Sequence, residues 1–205
     1  METSTFLYFL FTSVLLTLAP GPDNLYLLTK SLSEGAKSGV ILACGLASGI
    51  FFHTMLVMLG VAALIQSSPT ALSLLKYFGA AYLLFLAFGA FRSSGKMQLG
   101  RADAKSSYKA LYRRGVLMNV LNPKVLLFFL AFLPQFVDMT SDSAALQIAL
   151  LGITFALQAV LIFSVIAVCA GRLRKLIMAK RNLGKVFVII EGTVLSVIAL
   201  ALLFT

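Results

Sequence analysis

Charge is scarce in this sequence, and acidic charge scarcest of all. Asp and Glu together number 7 in 205 residues against 17 Lys and Arg, and the charged total is 12%, about half of the roughly 25% typical of soluble domains. A chain so poor in charge cannot clothe a water-facing surface. Histidine occurs once and cysteine twice. Cys44 and Cys169 lie in apolar segments without CxxC or Cys/His spacing, which argues against a disulfide framework or a metal-ligand set and leaves them as small apolar core residues. No metal or other cofactor is expected. The net charge of +10 would suggest a nucleic-acid partner in a soluble chain. Here the basic residues sit in short connections beside apolar runs, so no nucleic acid is expected and the charge reads as a topology signal.

What the chain has in abundance is apolar length. Hydrophobic residues make up 60% of it and the mean hydropathy is +0.99. Six apolar runs cover residues 6–29, 39–65, 70–91, 115–137, 144–171 and 186–204. At ~1.5 Å per residue each reaches across, or nearly across, a ~30 Å hydrocarbon core. Backbone groups facing lipid must be paired within their own segment, and the runs lack the alternation of barrel strands, so they predict helices. The expectation is an all-α polytopic membrane protein, a single transmembrane domain over residues 1–205 with the lipid bilayer as its solvent. No positive segment precedes the first apolar run, so that run is expected to stay in the mature chain.

Basic residues mark three connections: Lys30 and Lys37 in the first, the stretch from Arg92 to Arg114 in the third, and that from Arg172 to Lys185 in the fifth. By the positive-inside rule these loops are cytoplasmic and both termini lie outside, which in a bacterial inner membrane means the periplasm. Two three-helix halves of opposite orientation, as in transporters built from inverted repeats, fit this topology. Pro22-Asp23 would then answer Pro123-Lys124, and Gly79 would answer Gly192. Counted from the nominal run starts, however, Pro22 lies late and Pro123 early, so the residue pairing is set aside unless the fourth helix begins before Gly115.

The strongest local feature is Ala19-Pro20-Gly21-Pro22-Asp23-Asn24 in the first run. Two prolines remove two backbone donors and crowd the preceding turn, so this helix is expected to break. A broken membrane helix frees carbonyls and half-helix ends for binding. A kink alone is usually structural; Asp23 and Asn24 directly after it favour function, because intramembrane carboxylates are rare. A second break is expected at Asn119-Val120-Leu121-Asn122-Pro123-Lys124, with Lys124 too deep to snorkel freely. Asp23 is its candidate partner, either as a static ion pair or as one half of a zwitterion site. His53 lies on a face with Gly45 and Gly49. It reads as a hydrogen-bonded residue in a close helix contact or, more sharply, as a protonation site. Gln158 reads as helix glue, and Glu191 as an interfacial acid for which Lys185 is as good a partner as any transport role.

Together these residues resemble the LysE/RhtB family of amino-acid exporters over nearly the whole chain. The resemblance rests on Pro20-Gly21-Pro22 with Asn24, the glycine-rich stretch from Gly39 to Gly49, and Leu75-Lys76-Tyr77-Phe78-Gly79-Ala80-Ala81-Tyr82-Leu83. It is extended by Gly115, Asn119, Asn122-Pro123-Lys124 and Pro134-Gln135-Phe136. It implies export of an amino acid driven by the proton gradient. Small neutral substrates such as threonine, homoserine or leucine are favoured, with basic ones as the wider range. Pro20, Gly21, Pro22, Asp23, Asn24, Asn119, Asn122, Pro123 and Lys124 are the expected substrate-binding set, with Asp23 and His53 as candidates for proton coupling. Self-association into a homo-oligomer is compatible with the sequence but not specified by it.

Other classes fit less well. A cation exporter wants several converging His, Cys or carboxylate ligands. A membrane-embedded enzyme wants a clustered nucleophile and base, and the lone His53 has no acid nearby in sequence. A non-transporting scaffold would use Asp23 and Lys124 for stability alone.

Overall fold

A computed structural model of the chain describes residues 2–61, 69–93, 106–138, 141–172 and 183–204. The helices are α1 (Thr3–Leu18), α2 (Pro22–Glu34), α3 (Ala36–Leu56), α4 (Pro69–Arg92), α5 (Tyr108–Val120), α6 (Pro123–Phe136), α7 (Ala144–Arg172) and α8 (Leu183–Phe204). A π turn, Val57–Val61, extends α3. Helix α6 begins as one α turn, widens to π over Phe128–Phe132 and tightens to 3-10 over Leu133–Phe136. Four helices are long and apolar enough to cross a membrane, or up to six if each bent pair, α1 with α2 and α5 with α6, is one span. The chain is a multi-pass membrane protein.

Both expected breaks are present. Helices α1 and α2 meet at 58° and α5 and α6 at 48°. In each case the second piece opens with proline as its first residue, where the missing N–H would lack an intrahelical partner in any case. One sequence expectation is corrected. The fourth helix starts at Tyr108, not near Gly115, with Ser107 accepting a hydrogen bond from the Ala110 N–H at 3.3 Å. Hydropathy misses this first stretch because it carries Lys109, Arg113 and Arg114. Leu111 is nevertheless fully buried within it, and cation–π contacts accommodate the charge: Arg114 lies 4.3 Å from the Tyr26 ring and Lys37 lies 4.9 Å from the Tyr108 ring. With that start, both breaks fall about mid-helix, which removes the register objection to pairing Pro22-Asp23 with Pro123-Lys124.

Helix α3 packs along α5 and α7, α7 also along α1 and α2, and α4 along α8. The α3–α5 contact is as close as backbones allow, since a Cβ on Gly45 would strike the Tyr112 carbonyl and one on Gly115 the Leu42 carbonyl. The core between the helices is aromatic. Phe128 stacks on Phe132 with ring centroids 5.0 Å apart, Phe9 meets Phe136 at 5.3 Å, and Phe129 meets Phe155 at 5.2 Å. This cluster closes the interior on the α6 side, one turn beyond Lys124.

Candidate functional site

The site grows out of what each proline removes. In an unbroken helix the N–H of residue 20 would bond the Leu16 carbonyl and that of residue 123 the Asn119 carbonyl. Both carbonyls draw side-chain donors from distant helices, and that of Asn119 also accepts from the nearby Asn122 N–H at 2.9 Å. Lys124 Nζ donates to the Leu16 carbonyl at 3.3 Å and to the Ala19 carbonyl at 2.9 Å. His53 Nε2 lies 3.0 Å from the Asn119 carbonyl, so the tautomer with the proton on Nε2 serves as its donor. Asn24 Nδ2 donates to the carbonyls of Thr17 at 2.9 Å and Ala19 at 3.3 Å, completing the repair of the first break.

The second half-helices open alike, Gly21-Pro22-Asp23 and Asn122-Pro123-Lys124. Asn122 is the N-cap of α6: its Oδ1 accepts from the Lys124 N–H at 3.0 Å. Its Nδ2 donates to Asp23 Oδ2 at 2.7 Å. One amide therefore caps its own helix and grips the carboxylate of the other broken helix, a charge-assisted bond of the stronger kind. Asp23 sits in the first turn of α2, where the helix dipole favours a negative charge.

Asp23 and Lys124 are only 4% and 7% exposed, yet their hydrogen bonds go to neutral groups. The carboxylate is held by an amide and the ammonium by two carbonyls. An ammonium has three donors, and carbonyls occupy two of those of Lys124, leaving one without a partner among the described residues. The expectation that Asp23 would be the direct partner of Lys124 gives way to this arrangement, because the proline-freed carbonyls lie closer.

Of the sequence-predicted residues, Asp23, Asn24, Asn119, Asn122 and Lys124 line one cavity together with Thr17, Ile50, Phe155 and Phe163. Its volume of about 20 Å³ suits a single water. Asn119 Oδ1 is buried there without a partner among the described residues. A second, mostly apolar cavity of about 310 Å³ adjoins it, lined by Leu18, Pro20, Asn24, Leu25, Leu28, Ile166 and Phe187 among others. Asn24 borders both. Pro20, Gly21, Pro22 and Pro123 shape the backbone of the two breaks. His53 is fully buried between Phe52 and Phe129 and does not line the polar cavity. It reaches the site through the Asn119 carbonyl, and its Nδ1 has no partner among the described residues.

Two residues matter more here than the sequence suggested. Gln158, read as helix glue, does bridge helices, donating to Thr17 Oγ1 at 2.8 Å. Among the described residues Glu191 makes no ion pair with Lys185. A Cβ on Gly21 would lie 3.7 Å from Glu191 Oε1 and 3.3 Å from Lys124 Nζ, so the acid of α8 faces the first break. The signal was available: Leu195, Ile198 and Leu202 are buried, and stepping back by helical spacing along that stripe lands on Glu191.

The comparisons with known proteins agree with this architecture. A membrane protein of Vibrio cholerae serotype O1, described only as uncharacterised, is 34% identical over 171 residues, covering 83% of each chain. A leucine efflux protein of Salmonella choleraesuis is 28% identical over 182 residues, covering 87% of this chain and 84% of its own. No solved structure matches significantly. The family description LysE type translocator fits residues 14–205. With that match spanning both helix breaks and every described helix from α2 onwards, the chain belongs to the LysE type translocators, which are transporters and not enzymes.

Proposed function

We infer that this translocator exports amino acids from the cytoplasm, with Asp23 receiving the substrate ammonium and Lys124 its carboxylate. The observation that carries this reading is the pair of buried opposite charges on one small cavity, each hydrogen-bonded to neutral groups. An ion pair that served only stability would satisfy itself by direct contact. Here each charge can exchange a neutral partner for a charged end of a zwitterion. Asn119 Oδ1 and Asn24 supply further polar contacts.

The neighbouring apolar cavity accepts an aliphatic side chain, which favours neutral substrates over basic ones. The relative named as a leucine efflux protein supports the same choice. The polar cavity holds about one water, so the conformation is a closed one and loading requires the helices to part. Packing of α3 against α7 and of α4 against α8 is what two inverted halves would give, and rocking of those halves around the breaks provides alternating access. The basic connections lie in the cytoplasm and the termini in the periplasm of a bacterial inner membrane.

Protons drive the exchange by competing with the substrate ammonium for Asp23: a protonated carboxyl releases the amino acid outside, and a proton lost inside restores the site. An inward proton gains about 2.3 kcal/mol per 100 mV, equivalent to roughly a fiftyfold gradient of a neutral solute. His53 takes part by holding the Asn119 carbonyl in place.

The test is export from exporter-deficient bacteria loaded with amino acids as dipeptides, with and without an uncoupler. Uncoupler-sensitive export of leucine or another neutral amino acid is expected, and it should be abolished by Asp23→Asn at normal membrane abundance. Unaltered export by that variant would remove Asp23 from the site.

A further inference from the structure

We propose that Glu191 is a resident competitor for Lys124, a carboxylate that takes the lysine ammonium when the substrate carboxylate leaves. The inference rests on the reading of Lys124 as the substrate-carboxylate site and adds a residue from the last helix to it.

Three observations place Glu191 there. It lies on the same stripe of α8 as buried Leu195, Ile198 and Leu202. One turn earlier on that face, Phe187 lines the apolar cavity together with Pro20 and Asn24, so this side of α8 is turned to the break. Finally, Lys124 Nζ and Glu191 Oε1 both lie beside the position that a Cβ of residue 21 would fill, at 3.3 and 3.7 Å from it. Only glycine leaves that gap open. Gly21 has φ −154° and ψ −174°, a conformation open to any residue, so its lack of a side chain matters here for space and not for backbone freedom.

The chemistry follows from the donors. Lys124 keeps one ammonium hydrogen beyond those given to the Leu16 and Ala19 carbonyls. No described residue donates a hydrogen bond to the Glu191 carboxylate. The groups facing this ammonium are Asp23 of α2, held by Asn122 of α6, and Glu191 of α8. A substrate carboxylate arriving at Lys124 therefore takes a place for which Glu191 is the nearest uncommitted anion. Its departure is helped by Glu191 moving in. The residue is a positioning group: it faces Lys124 across Gly21 without an ion pair in this conformation and acts on the substrate through that lysine.

Two substitutions test this. Everted membrane vesicles from an exporter-deficient strain carrying the full chain are supplied with labelled L-leucine, and initial uptake rates are fitted for half-saturation and maximal rate. Glu191→Gln removes the competitor, so half-saturation should fall several-fold while the maximal rate also falls, because release is no longer assisted. Glu191→Asp should restore both towards the wild type. Gly21→Ala, which puts a methyl against both charged groups, should lower half-saturation and rate in the same sense at equal membrane abundance. Unchanged or raised half-saturation in Glu191→Gln overturns the proposal. Wild-type vesicles that take up leucine, lose uptake on Lys124→Gln, and are indifferent to Glu191 would sink this inference while leaving the substrate site intact. A wild type that transports no amino acid would sink both. A substrate-independent check is thermal unfolding in detergent. Lys124→Gln and Glu191→Gln should be non-additive, and strict additivity counts against the proposal.

Discussion

Asn122 does two jobs with one side chain, and replacing it by serine or alanine separates them. Serine keeps an oxygen at the N-cap of α6 but is too short to reach Asp23, whereas alanine removes both contacts. Losing the 2.7 Å bond to the Asp23 carboxylate should cost about 1.5–3 kcal/mol, the range for hydrogen bonds to charged groups. Losing the cap to the Lys124 N–H adds about 1 kcal/mol. Asn122→Ser should therefore lose most of the stability that Asn122→Ala loses, with alanine about 1 kcal/mol worse. Thermal unfolding of purified protein in detergent, scanned at one rate, gives the order. In transport, an Asp23 no longer held in place should slow export at equal membrane abundance. A serine variant matching the wild type in both assays would refute the idea that Asn122 orders the carboxylate. Equal losses for serine and alanine would refute the cap.

The His53 contact should be conditional on Pro123. His53→Ala should destabilise by about 1 kcal/mol by removing one of the two donors to the buried Asn119 carbonyl, the Asn122 N–H at 2.9 Å being the other. Pro123→Ala restores an N–H able to bond that carbonyl, so the double variant should show positive coupling in a thermal-unfolding cycle, and simple additivity would count against the capping role. Gly45→Val should cost about 1–3 kcal/mol or more by forcing α3 from the Tyr112 backbone, read as reduced membrane abundance and lower unfolding temperature; normal values would mean the contact yields easily. Cys169 borders the apolar cavity, so saturating leucine should slow its reaction with a membrane-permeant maleimide in a Cys44→Ser background. An unchanged rate would place the substrate side chain elsewhere.

Much of this protein is written in one dimension. Hydropathy suffices to mark apolar spans because lipid forces each segment to satisfy its own backbone, whatever its neighbours. The breaks are equally local, since a proline lacks its N–H in any fold. The sequence even names carbonyls that lose their i+4 donor, because a helix bonds residue i to i−4 and so Pro20 and Pro123 point to Leu16 and Asn119. The start of α5 was misplaced because Lys109, Arg113 and Arg114 lower its hydropathy, although Leu111 is fully buried there and cation–π contacts across helices hold the charged side chains.

Which side chain would answer each group could not be read the same way. Lys124 reaches the Leu16 carbonyl, Asn122 the Asp23 carboxylate and His53 the Asn119 carbonyl, contacts separated by 108, 99 and 66 residues along the chain. Such partners are fixed by helix register and crossing. Those depend in turn on backbone contacts like Gly45 against Tyr112 and Gly115 against Leu42. Glu191 shows the same division. Its helical spacing from Leu195 and Ile198 put it on the buried stripe, but only the packing of α8 beside the first break brought it opposite Lys124 across Gly21. The sequence determined where the chain crosses, where it breaks and which carbonyls lose their i+4 donor; tertiary packing decided which distant side chains answer them, because that choice is a matter of distance in space.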